Sequence, residues 1–396
     1  MFFVSEWKEC TIADLGEVVG GATPSTKQPE NYENGIISWI TPKDLSTFKG
    51  RFITHGERNI TEIGLNSCST RILPPHTILF SSRAPIGYVA IVAKEMCTNQ
   101  GFKSVIPNAD TDFMFLYYLL KYNRGNIENM GSGTTFKEVS GNTMKSIKVY
   151  VPVDIEEQRR IGAILSAIDD KIELNTAINE NLEQQAQAIF KSWFVDFEPF
   201  GGIMPDDWRM GSLSEICKYS KDRVCVEELS LDTYYSTENM QPNRQGAVQA
   251  TTLPSIKQTT ACKKGDVLIS NIRPYFKKII YCFADCGCST DVLCFVPNRI
   301  EYSAFLYCAL YSDKFFAYMV AGSKGTKMPR GDNQQIMMYP ICIPSAAYIE
   351  KFNKAVRPML ETIHTNRLEA NNLAILRDTL LPKLMNGEID VSEVQI

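Results

Sequence analysis

Apolar side chains recur every three or four residues along residues 154–198, and polar residues fill the positions between them. The apolar or amide positions of this stripe are Ile161, Leu165, Ile168, Ile172, Asn175, Asn179, Leu182, Ala186, Ile189 and Trp193. Alternating steps of four and three are typical of the contact seam of a coiled coil. At about 1.5 Å per residue, roughly 40 helical residues form a rod of about 60 Å. The pattern therefore predicts one long helix that needs a partner for its apolar stripe.

The same spacing recurs 191 residues later, within residues 346–396. Its stripe consists of Phe352, Val356, Met359, Ile363, Asn366, Ala370, Leu373, Arg377, Leu380 and Leu384. Two matching stripes predict that the helices pair with each other as an antiparallel coiled coil. Asn175 and Asn366 would then fix the register, unless they lie exposed on a drifting seam. Pro358, near the start of the second stripe, favours a kink or a late start of that helix.

Each stripe follows a large segment, and the two segments share short motifs in the same order. Trp7 begins the first with W-K-x-x-x-I, and Trp208 begins the second with W-R-x-x-x-L. The strand-like run TILFSSRAPIG (77–87) matches DVLISNIRPYF (266–276), and FLYYLL (115–120) matches FLYCAL (305–310). Loops rich in Gly, Ser and Thr follow, GSGTTFK (131–137) and GSKGTKM (322–328). Because repeats of this length are duplicated domains, the order predicts an α+β protein with a pseudo-twofold internal repeat.

The predicted domains are residues 1–153 and 199–345, both of mixed α/β type, with the long helices in 154–198 and 346–396. The middle of the two domains differs most, as expected if a shared frame carries different recognition surfaces. The chain has a net charge of −4, and residues 154–198 alone hold ten acidic and four basic residues. The acidity therefore belongs to the first helix. Because the flanking domains are near neutral, net charge neither supports nor excludes binding of nucleic acid.

The sequence predicts a cytoplasmic protein without membrane contact. No apolar run approaches the roughly 20 residues that a membrane span needs. The first residues, MFFVSEWKEC, lack the basic and apolar regions of a signal peptide. Twelve cysteines are scattered among strand-like segments, and we expect them to be reduced and buried.

The sequence offers little for catalysis. The histidines fall in different contexts and predict neither a catalytic triad nor a metal cluster: His55, His76 and His364. Neither a G-x-x-x-x-G-K-[ST] loop nor a glycine-rich S-adenosylmethionine loop occurs. The most metal-like cluster is Cys282, Cys286, Cys288 and Cys294, but it lacks the paired C-x₂₋₄-C spacing of zinc sites, and alternate cysteines of a strand face the core. We predict no catalytic residue, metal or cofactor in this chain.

Several longer motifs can be matched to a known family. They are P-x-x-x-x-E-Q-x-x-I (152–161), DKIELN (170–175), FKSWFVDFEPF (190–200), GATP (21–24), WITPKDL (39–45) and LLPKLMNGEIDV (380–391). With them, essentially the whole chain resembles the specificity subunit of Type I restriction–modification enzymes. The second half departs from the pattern. It has no clear GATP or WITPKDL, and SAAYIEKF follows Pro344 where Glu-Gln would stand.

This resemblance implies a non-catalytic subunit with two target-recognition domains, each reading one half of a split, asymmetric sequence in double-stranded DNA. The helices would set the gap between the half-sites and dock two modification subunits, which carry S-adenosylmethionine and the methyltransferase chemistry. Restriction subunits would add translocation and cleavage that use ATP and Mg. Two readers at opposite ends of an antiparallel helix pair would approach one groove about one turn, ~34 Å, apart.

Candidate DNA contacts follow from residue type and loop position. Arg and Lys bind phosphates and guanine edges, and loops of Ser, Thr and Gly let backbone amides approach phosphates. The candidates in the first domain are Thr23, Ser25, Lys43, Arg83, Thr134, Thr135 and Lys137. Those in the second domain are Asn271, Arg273, Tyr275, Lys277, Lys278, Lys324, Lys327 and Arg330. Each one alone is also compatible with a solvated loop residue, but the match of Arg83 with Arg273 and of Lys137 with Lys327 favours the set.

Aromatic residues cluster where the first helix ends: Phe190, Trp193, Phe194, Phe197 and Phe200. They exceed what one seam can bury and suit a subunit interface, although rings packed under the second domain explain them equally well. Two other functions compete with the leading one. One is a coiled-coil adaptor without DNA readout, and the other is a stand-alone DNA-modifying enzyme, against which the missing cofactor loops count.

Overall fold

The computed structural model describes residues 6–83, 85–133 and 137–394. The chain folds into two compact units, unit 1 (Met1–Leu174 with Glu369–Ile396) and unit 2 (Asn175–Leu368). The predicted bounds treat the long helices as separate segments, whereas these units divide both helices. Among the helices in the described ranges, none is long and apolar enough to cross a membrane.

Unit 1 is built from short strands and helices that precede the first long helix. They are β1 (Trp7–Thr11), α1 (Ile12–Leu15), β2 (Gly16–Gly20), β3 (Ile37–Ile40), α2 (Pro42–Thr47), β4 (Phe52–Ile53), β5 (Arg58–Ile60), α3 (Glu62–Asn66), β6 (Ile78–Ser82), β7 (Ile86–Val92), β8 (Cys97–Thr98), β9 (Lys103–Pro107), α4 (Phe113–Tyr122), α5 (Arg124–Asn129), α6 (Gly141–Ser146), β10 (Lys148–Pro152) and the start of α7 (Ile155–Phe194).

The strands of unit 1 form a five-stranded sheet in the order β2-β9-β6-β7-β4, a three-stranded sheet β5-β3-β8 and the pair β1-β10. Every residue of β6 is buried, as its apolar run predicts. The helix α4 covers this sheet, with Phe115 packed in the same core as Phe80 and Val105. Asp112 starts α4 by accepting a hydrogen bond from the backbone N–H of Phe115 at 2.8 Å.

Unit 2 repeats the arrangement between the two long helices. Its elements are β11 (Arg209–Ser212), β12 (Cys217–Tyr219), β13 (Arg223–Cys225), β14 (Tyr234–Tyr235), β15 (Gln258–Cys262), β16 (Val267–Ser270), β17 (Ile279–Tyr281), β18 (Cys286–Cys288), β19 (Val292–Pro297), α8 (Ser303–Tyr311), α9 (Asp313–Ala321), α10 (Asn333–Met337), β20 (Pro340–Ile343) and the start of α11 (Ala346–Met385).

The sheets of the two units agree in one half and differ in the other. The order β12-β19-β16-β17 in unit 2 corresponds to β2-β9-β6-β7 in unit 1, and the pair β11-β20 corresponds to β1-β10. The other sheet, β13-β15-β18-β14, has no counterpart of the same order. The difference falls in the middle of each domain, where the two sequences also differ most.

Both long helices contain 40 residues, and α11 runs through Pro358. The predicted late start at this proline is therefore wrong. Proline removes one backbone hydrogen bond within a helix and costs about 3 kcal/mol. The turns around it are held by packing, because Phe352 and Val356 are fully buried in the core of unit 2. The Thr362 hydroxyl also donates to the carbonyl of Pro358 at 2.9 Å.

The long helices pack against each other within unit 2, and their contacts run in opposite chain directions. The ring centroid of Phe190 lies 6.2 Å from that of Phe352, and Asn179 Nδ2 donates to the carbonyl of Ile363 at 3.3 Å. Asn366 Nδ2 donates to Asn179 Oδ1 at 2.9 Å. This partly buried amide pair on the seam favours one register over others. The sequence named Asn175 and Asn366 for this role, and in the structure the amide that bonds Asn366 is that of Asn179. The supercoil of a coiled coil stays a prediction.

A carboxylate on α7, buried in unit 1 and mostly buried in unit 2, ties the two long helices to the domain in each unit. In unit 1, Asp169 accepts from Tyr118 Oη of α4 at 2.7 Å and pairs with Arg377 Nη1 of α11 at 2.6 Å. In unit 2, Glu183 accepts from Tyr311 Oη of α8 at 2.5 Å and pairs with Arg367 Nη2 of α11 at 2.6 Å. We call these the unit 1 lock (Tyr118, Asp169, Arg377) and the unit 2 lock (Tyr311, Glu183, Arg367). Arg377 interrupts the apolar seam because it serves one of them.

The Glu-Gln motif at the start of α7 has a structural role in unit 1. Trp7 Nε1 donates to Glu157 Oε1 at 3.1 Å, and Gln158 Oε1 accepts from the backbone N–H of Asp112 at 3.0 Å. Gln158 Nε2 also donates to the carbonyl of Pro152 at 3.2 Å. Unit 2 lacks the motif, and within the described residues the buried Nε1 of Trp208 has no hydrogen-bond partner. Aromatic rings of Phe200 and Tyr348 surround Trp208 instead.

Replacing Arg377 by methionine tests the unit 1 lock. The carboxylate of Asp169 is almost fully buried and would lose its cationic partner. Removing one partner of a buried pair costs roughly 3 kcal/mol or more, so we expect a loss of that size in the free energy of unfolding measured by urea denaturation. The matched control is Arg159→Met, which removes the half-exposed ion pair with Glu156. The control is expected to cost less than about 1 kcal/mol, and equal losses for both variants would contradict the lock.

Candidate nucleic-acid interface

Two loops that carry predicted contact residues lie side by side in unit 2. One follows β16 (residues 271–278), and the other follows α9 (residues 322–331). The backbone N–H of Arg273 donates to the carbonyl of Pro329 at 2.8 Å, and that of Gly331 donates to Asn271 at 3.2 Å. Lys324 and Arg330 close the second loop by exchanging backbone hydrogen bonds of 2.8 and 2.9 Å. The structure therefore brings together the predicted residues Asn271, Arg273, Tyr275, Lys277, Lys278, Lys324, Lys327 and Arg330.

The first of these loops is held in a strained conformation. Arg273 and Lys277 adopt φ of 50° and 51°, and the neighbouring Asn243 and Arg244 adopt 53° and 64°. Non-glycine residues in this region cost free energy and persist only where the surroundings impose it. Here the backbone N–H groups of Asn243 and Arg244 donate to the carbonyls of Phe276 and Lys277 at 2.7 and 3.0 Å. The loop is therefore rigid rather than a free surface segment.

Aromatic rings project from this rigid loop. Tyr275 and Phe276 are exposed at 49% and 38%, and their ring centroids lie 4.7 Å apart. The Lys278 ammonium lies 5.9 Å from the ring centroid of Phe276 and donates to the carbonyl of Thr237 at 2.5 Å. Burial lowers the pKa of Lys278. Sequence reasoning named Tyr275 but missed Phe276, although both rings stand in the same loop.

Carboxylates partner three of the six predicted cations of unit 2, Lys277, Lys324 and Arg330. Asp313 pairs with Lys277 at 2.7 Å and with Arg244 at 2.5 Å. Asp332 pairs with Lys324 at 2.6 Å, and Asp291 pairs with Arg330 at 3.0 Å. These three acids were not among the predicted contacts, because the candidates were chosen as residue types that bind phosphates and base edges. Arg273 keeps its Nε buried without a hydrogen-bond partner in the part of the chain that the structure describes.

Unit 1 builds the same backbone arrangement with other side chains. The N–H of Val139 donates to the carbonyl of Ser82 at 3.0 Å, and Ser132 and Glu138 exchange backbone hydrogen bonds of 3.0 and 2.9 Å. Arg83 Nη1 lies 3.7 Å and Lys103 Nζ lies 3.4 Å from the carboxylate of Glu138. Lys137 is exposed beside them. The predicted contacts Thr134 and Thr135 lie outside the described residues.

These hydrogen bonds define the frame that the two units share. We call the end of the central strand, together with the pair of residues that exchange backbone hydrogen bonds beside it (Ser132 and Glu138 in unit 1, Lys324 and Arg330 in unit 2), the loop frame. Matching bonds place Ser82 with Asn271, Ser132 with Lys324 and Glu138 with Arg330. In this register Arg83 stands at the place of Ile272, one residue before Arg273. The sequence match of Arg83 with Arg273 is therefore displaced by one position.

Of the remaining candidates of unit 1, Thr23 and Ser25 lie on the loop that follows β2, whereas Lys43 lies in the first turn of α2 and not in a loop as predicted. The Thr23 hydroxyl donates to the side chain of Gln100, and the N–H of Ser82 donates to the carbonyl of Gly101 at 2.8 Å. Gly101 also packs closely on Pro42 at the start of α2, because a Cβ there would lie 2.7 Å from the proline ring.

Of the other two candidates, Ser25 uses its backbone carbonyl and Lys43 its side chain in contacts away from Ser82. The carbonyl of Ser25 accepts a hydrogen bond from Asn31, and Lys43 pairs with Glu57 at 2.8 Å. Thr23 thus belongs to the group around Ser82, whereas the side chain of Lys43 does not.

The aromatic cluster at the end of α7 packs inside unit 2. Phe190 and Phe194 are buried in its core with Trp208, Phe305 and Phe352. The other rings of the cluster, Trp193, Phe197 and Phe200, are partly buried against the same core. The expectation of an interface formed by all of Phe190, Trp193, Phe194, Phe197 and Phe200 is corrected accordingly, because the first and third have no surface left to offer. Their burial agrees with the alternative that the rings pack under the second domain.

The cysteine cluster forms part of a hydrophobic core. Cys282, Cys286, Cys288 and Cys294 are buried beside Met240 and Leu268. The Sγ atoms of Cys282 and Cys286 are 3.6 Å apart, and Cys294 Sγ lies 3.5 Å from Asp266. Across residues 6–83, 85–133 and 137–394, no group of three or more His, Cys, Asp and Glu side chains is arranged to hold a metal ion.

Known proteins resemble the chain over nearly its whole length. Residues 4–184 match the family described as the Type I restriction modification DNA specificity domain. The chain is 35% identical to the Type I restriction enzyme MjaIX specificity subunit of Methanocaldococcus jannaschii, over 98% of this chain and 95% of that protein. It is 24% identical to the HindI specificity subunit of Haemophilus influenzae, over 98% and 100%. Its fold is similar to that of a Type I restriction–modification S subunit from M. genitalium, with a TM-score of 0.64, 19% identity and 97% coverage of each chain.

Replacing Asp313 by asparagine tests the rigidity of the exposed loop. Hydrogen bonds from Lys277 and Arg244 lower the pKa of Asp313 to about 2. A carboxylate with a lowered pKa stabilises the fold above its ordinary pKa of about 4, and this contribution is lost as the pH falls toward 2. We therefore expect Asp313→Asn to lower Tm and to speed tryptic cleavage after Lys277 by amounts that stay constant between about pH 5 and pH 8.

The control is Asp206→Asn, which changes an exposed carboxylate in the linker before β11. An unchanged cleavage rate in Asp313→Asn, or a difference that varies across this pH range, would contradict the role of the Asp313 pairs.

Proposed function

Because this chain belongs to the family of Type I restriction–modification DNA specificity proteins, we propose that it selects the DNA sequence on which a methyltransferase complex acts. The observation that carries the proposal is the loop frame, which has the same backbone hydrogen bonds in both units and different side chains in each. A shared backbone arrangement that carries different side chains suits two domains that each recognise a different half-site. Unit 1 would read one half of a split, asymmetric sequence, and unit 2 would read the other.

The chemistry of the unit 2 loops suits a DNA backbone. Residues 271–278 and 322–331 carry the basic residues Arg273, Lys277, Lys278, Lys324, Lys327 and Arg330, and the carboxylates that pair with some of them are Asp291, Asp313 and Asp332. The net charge of these loops together with their paired carboxylates is therefore positive, although the net charge of the whole chain is negative. Cations held in place by carboxylates contact phosphates and guanine edges without first losing side-chain entropy.

The long helices supply surfaces for the partner subunits. Unit 1 exposes Leu174, Ile375 and Leu376, and unit 2 exposes Ile178 and Leu368. Apolar helical residues in water are candidate contacts for modification subunits, in place of the buried rings at the end of α7. Those subunits would carry S-adenosylmethionine, and restriction subunits would use ATP and Mg. With DNA as its ligand, we place the complex in the cytoplasm.

Sequencing of methylated bases tests this function directly. The chain is expressed together with its modification subunit in a host without other methyltransferases, and the modification subunit alone is the control. We expect a split, asymmetric methylated motif that depends on the chain. Exchanging residues 1–153 for those of a relative should change one half of the motif only, and exchanging residues 199–345 should change the other half only. Methylation by an active modification subunit that ignores the chain would reject DNA recognition and favour the adaptor.

Replacing Lys327 by glutamine tests a phosphate contact. Lys327 is exposed in the second loop of unit 2. Each neutralised phosphate contributes about 0.9 to the slope of log affinity against log salt concentration. We expect Lys327→Gln to reduce this slope of the assembled complex by about one, without changing the preferred sequence.

The matched control is Lys354→Gln on α11, which removes an exposed lysine paired with Glu350. A change of the motif in Lys327→Gln would assign this side chain to a base instead.

A further inference from the structure

One place in the loop frame carries opposite charges in the two units. Glu138 exchanges backbone hydrogen bonds with Ser132, as Arg330 does with Lys324. The next residue in each unit, Val139 or Gly331, then donates to the end of the central strand, at 3.0 and 3.2 Å. These matching bonds put Glu138 and Arg330 at the same position in the hydrogen-bond pattern at the end of the strand. The side chains that leave this place are an anion in unit 1 and a cation in unit 2.

The charges of the ion-pair partners at this place are reversed as well. Glu138 faces the cations Arg83 and Lys103, at 3.7 and 3.4 Å. Arg330 faces the anion Asp291 at 3.0 Å. Both side chains keep access to solvent, with 41% of Glu138 and 56% of Arg330 exposed. Two neighbours thus orient Glu138 and one orients Arg330, and both side chains keep part of their surface in solvent.

Opposite charges at one place exclude a shared contact with the phosphate backbone. A phosphate attracts Arg330 and repels Glu138, so one docking geometry cannot use this place for phosphates in both half-sites. Base edges present hydrogen-bond donors as well as acceptors, whereas phosphates present only acceptors. An ionised carboxylate only accepts hydrogen bonds, and a guanidinium only donates them.

We propose that this place reads a base edge in each half-site, a cytosine amino group through Glu138 and the N7 and O6 of guanine through Arg330. Carboxylates accept from cytosine N4, and arginine donates to both guanine acceptors in the major groove. The inference rests on the proposed function and adds the residues that make the two half-sites unlike. Arg83, Lys103 and Asp291 are positioning residues, which hold the reading side chains in the loop frame.

Single amide substitutions in the full chain, expressed with its modification subunit, test the assignment. Glutamine keeps the approximate length of glutamate and pairs with adenine rather than cytosine. We expect Glu138→Gln to lower methylation of cytosine-containing sites by about tenfold or more and to admit adenine at one position of one half-site. Arg330→Gln should relax one position of the other half-site by a similar factor. The controls are Glu128→Gln on α5 and Arg299→Gln before α8, both exposed and outside the loop frame.

The outcomes separate base reading from a structural role. A uniform fall in methylation at all sites, with the motif unchanged, would overturn the inference and assign Glu138 to holding Arg83 and Arg330 to a phosphate. Co-purification with the modification subunit and an unchanged Tm show that each variant is folded. Where a glutamine variant fails this check, Glu138→Asp and Arg330→Lys replace it. Both keep the hydrogen-bonding character of the original residue but change its reach, so weaker methylation of sites with the same base at that single position is expected, without admission of adenine. If exchange of residues 1–153 moves a half-site but these variants alter no position, the inference fails and the proposed function stands.

Discussion

The carboxylate of each lock, buried in unit 1 and mostly buried in unit 2, is the constraint on which both units depend. It lies on α7, its tyrosine partner lies on a domain helix, and its arginine partner lies on α11. A buried carboxylate that loses either partner is costly, so the three elements are held as a group. In unit 2 the connection continues outward. Arg367 Nη2 also donates to the carbonyl of Arg244, which pairs with Asp313 beside Lys277 in the exposed loop. Ion pairs joined by one hydrogen bond to the Arg244 carbonyl thus run from the helix pair to the loop that carries Tyr275 and Phe276.

The long helices follow from the sequence, but the locks do not. Ile161, Leu165 and Ala186 are buried as their spacing predicts, because period and helix propensity are local properties of the chain. Asp169 lies one residue beyond the predicted seam position Ile168, and its burial depends on Tyr118 and Arg377, which are distant in sequence. Pro358 is a case in which a local property was known and the prediction drawn from it was still wrong. Its local penalty was correctly recognised, yet packing of the preceding turns outweighs it.

The sequence predicted which loops form the candidate site but not how their side chains are arranged. Residue type identified Arg273, Lys324 and Arg330, and the structure places them within one group. The acids that orient them were missed, since a carboxylate in a loop reads as solvated until its partner is known. The interface predicted for the rings of Phe190 and Phe194 is wrong for a related reason. An aromatic residue at a helix end reads equally as surface or core, and only the fold supplies the Trp208 and Phe352 that cover them.

The strained backbone of the unit 2 loop lowers the stability of the fold, and the side chains at the strained positions belong to the proposed DNA-binding surface. Glycine at 273 or 277 would adopt the same left-handed backbone without the penalty that a side chain brings, and so would relieve on the order of 1 kcal/mol at each position. The chain instead keeps long cationic residues there. Selection of variants for heat resistance alone would therefore drift toward glycine in this loop and erode the surface that it presents. An evolved library for new targets needs a binding screen at every round, and it should begin from a scaffold stabilised elsewhere.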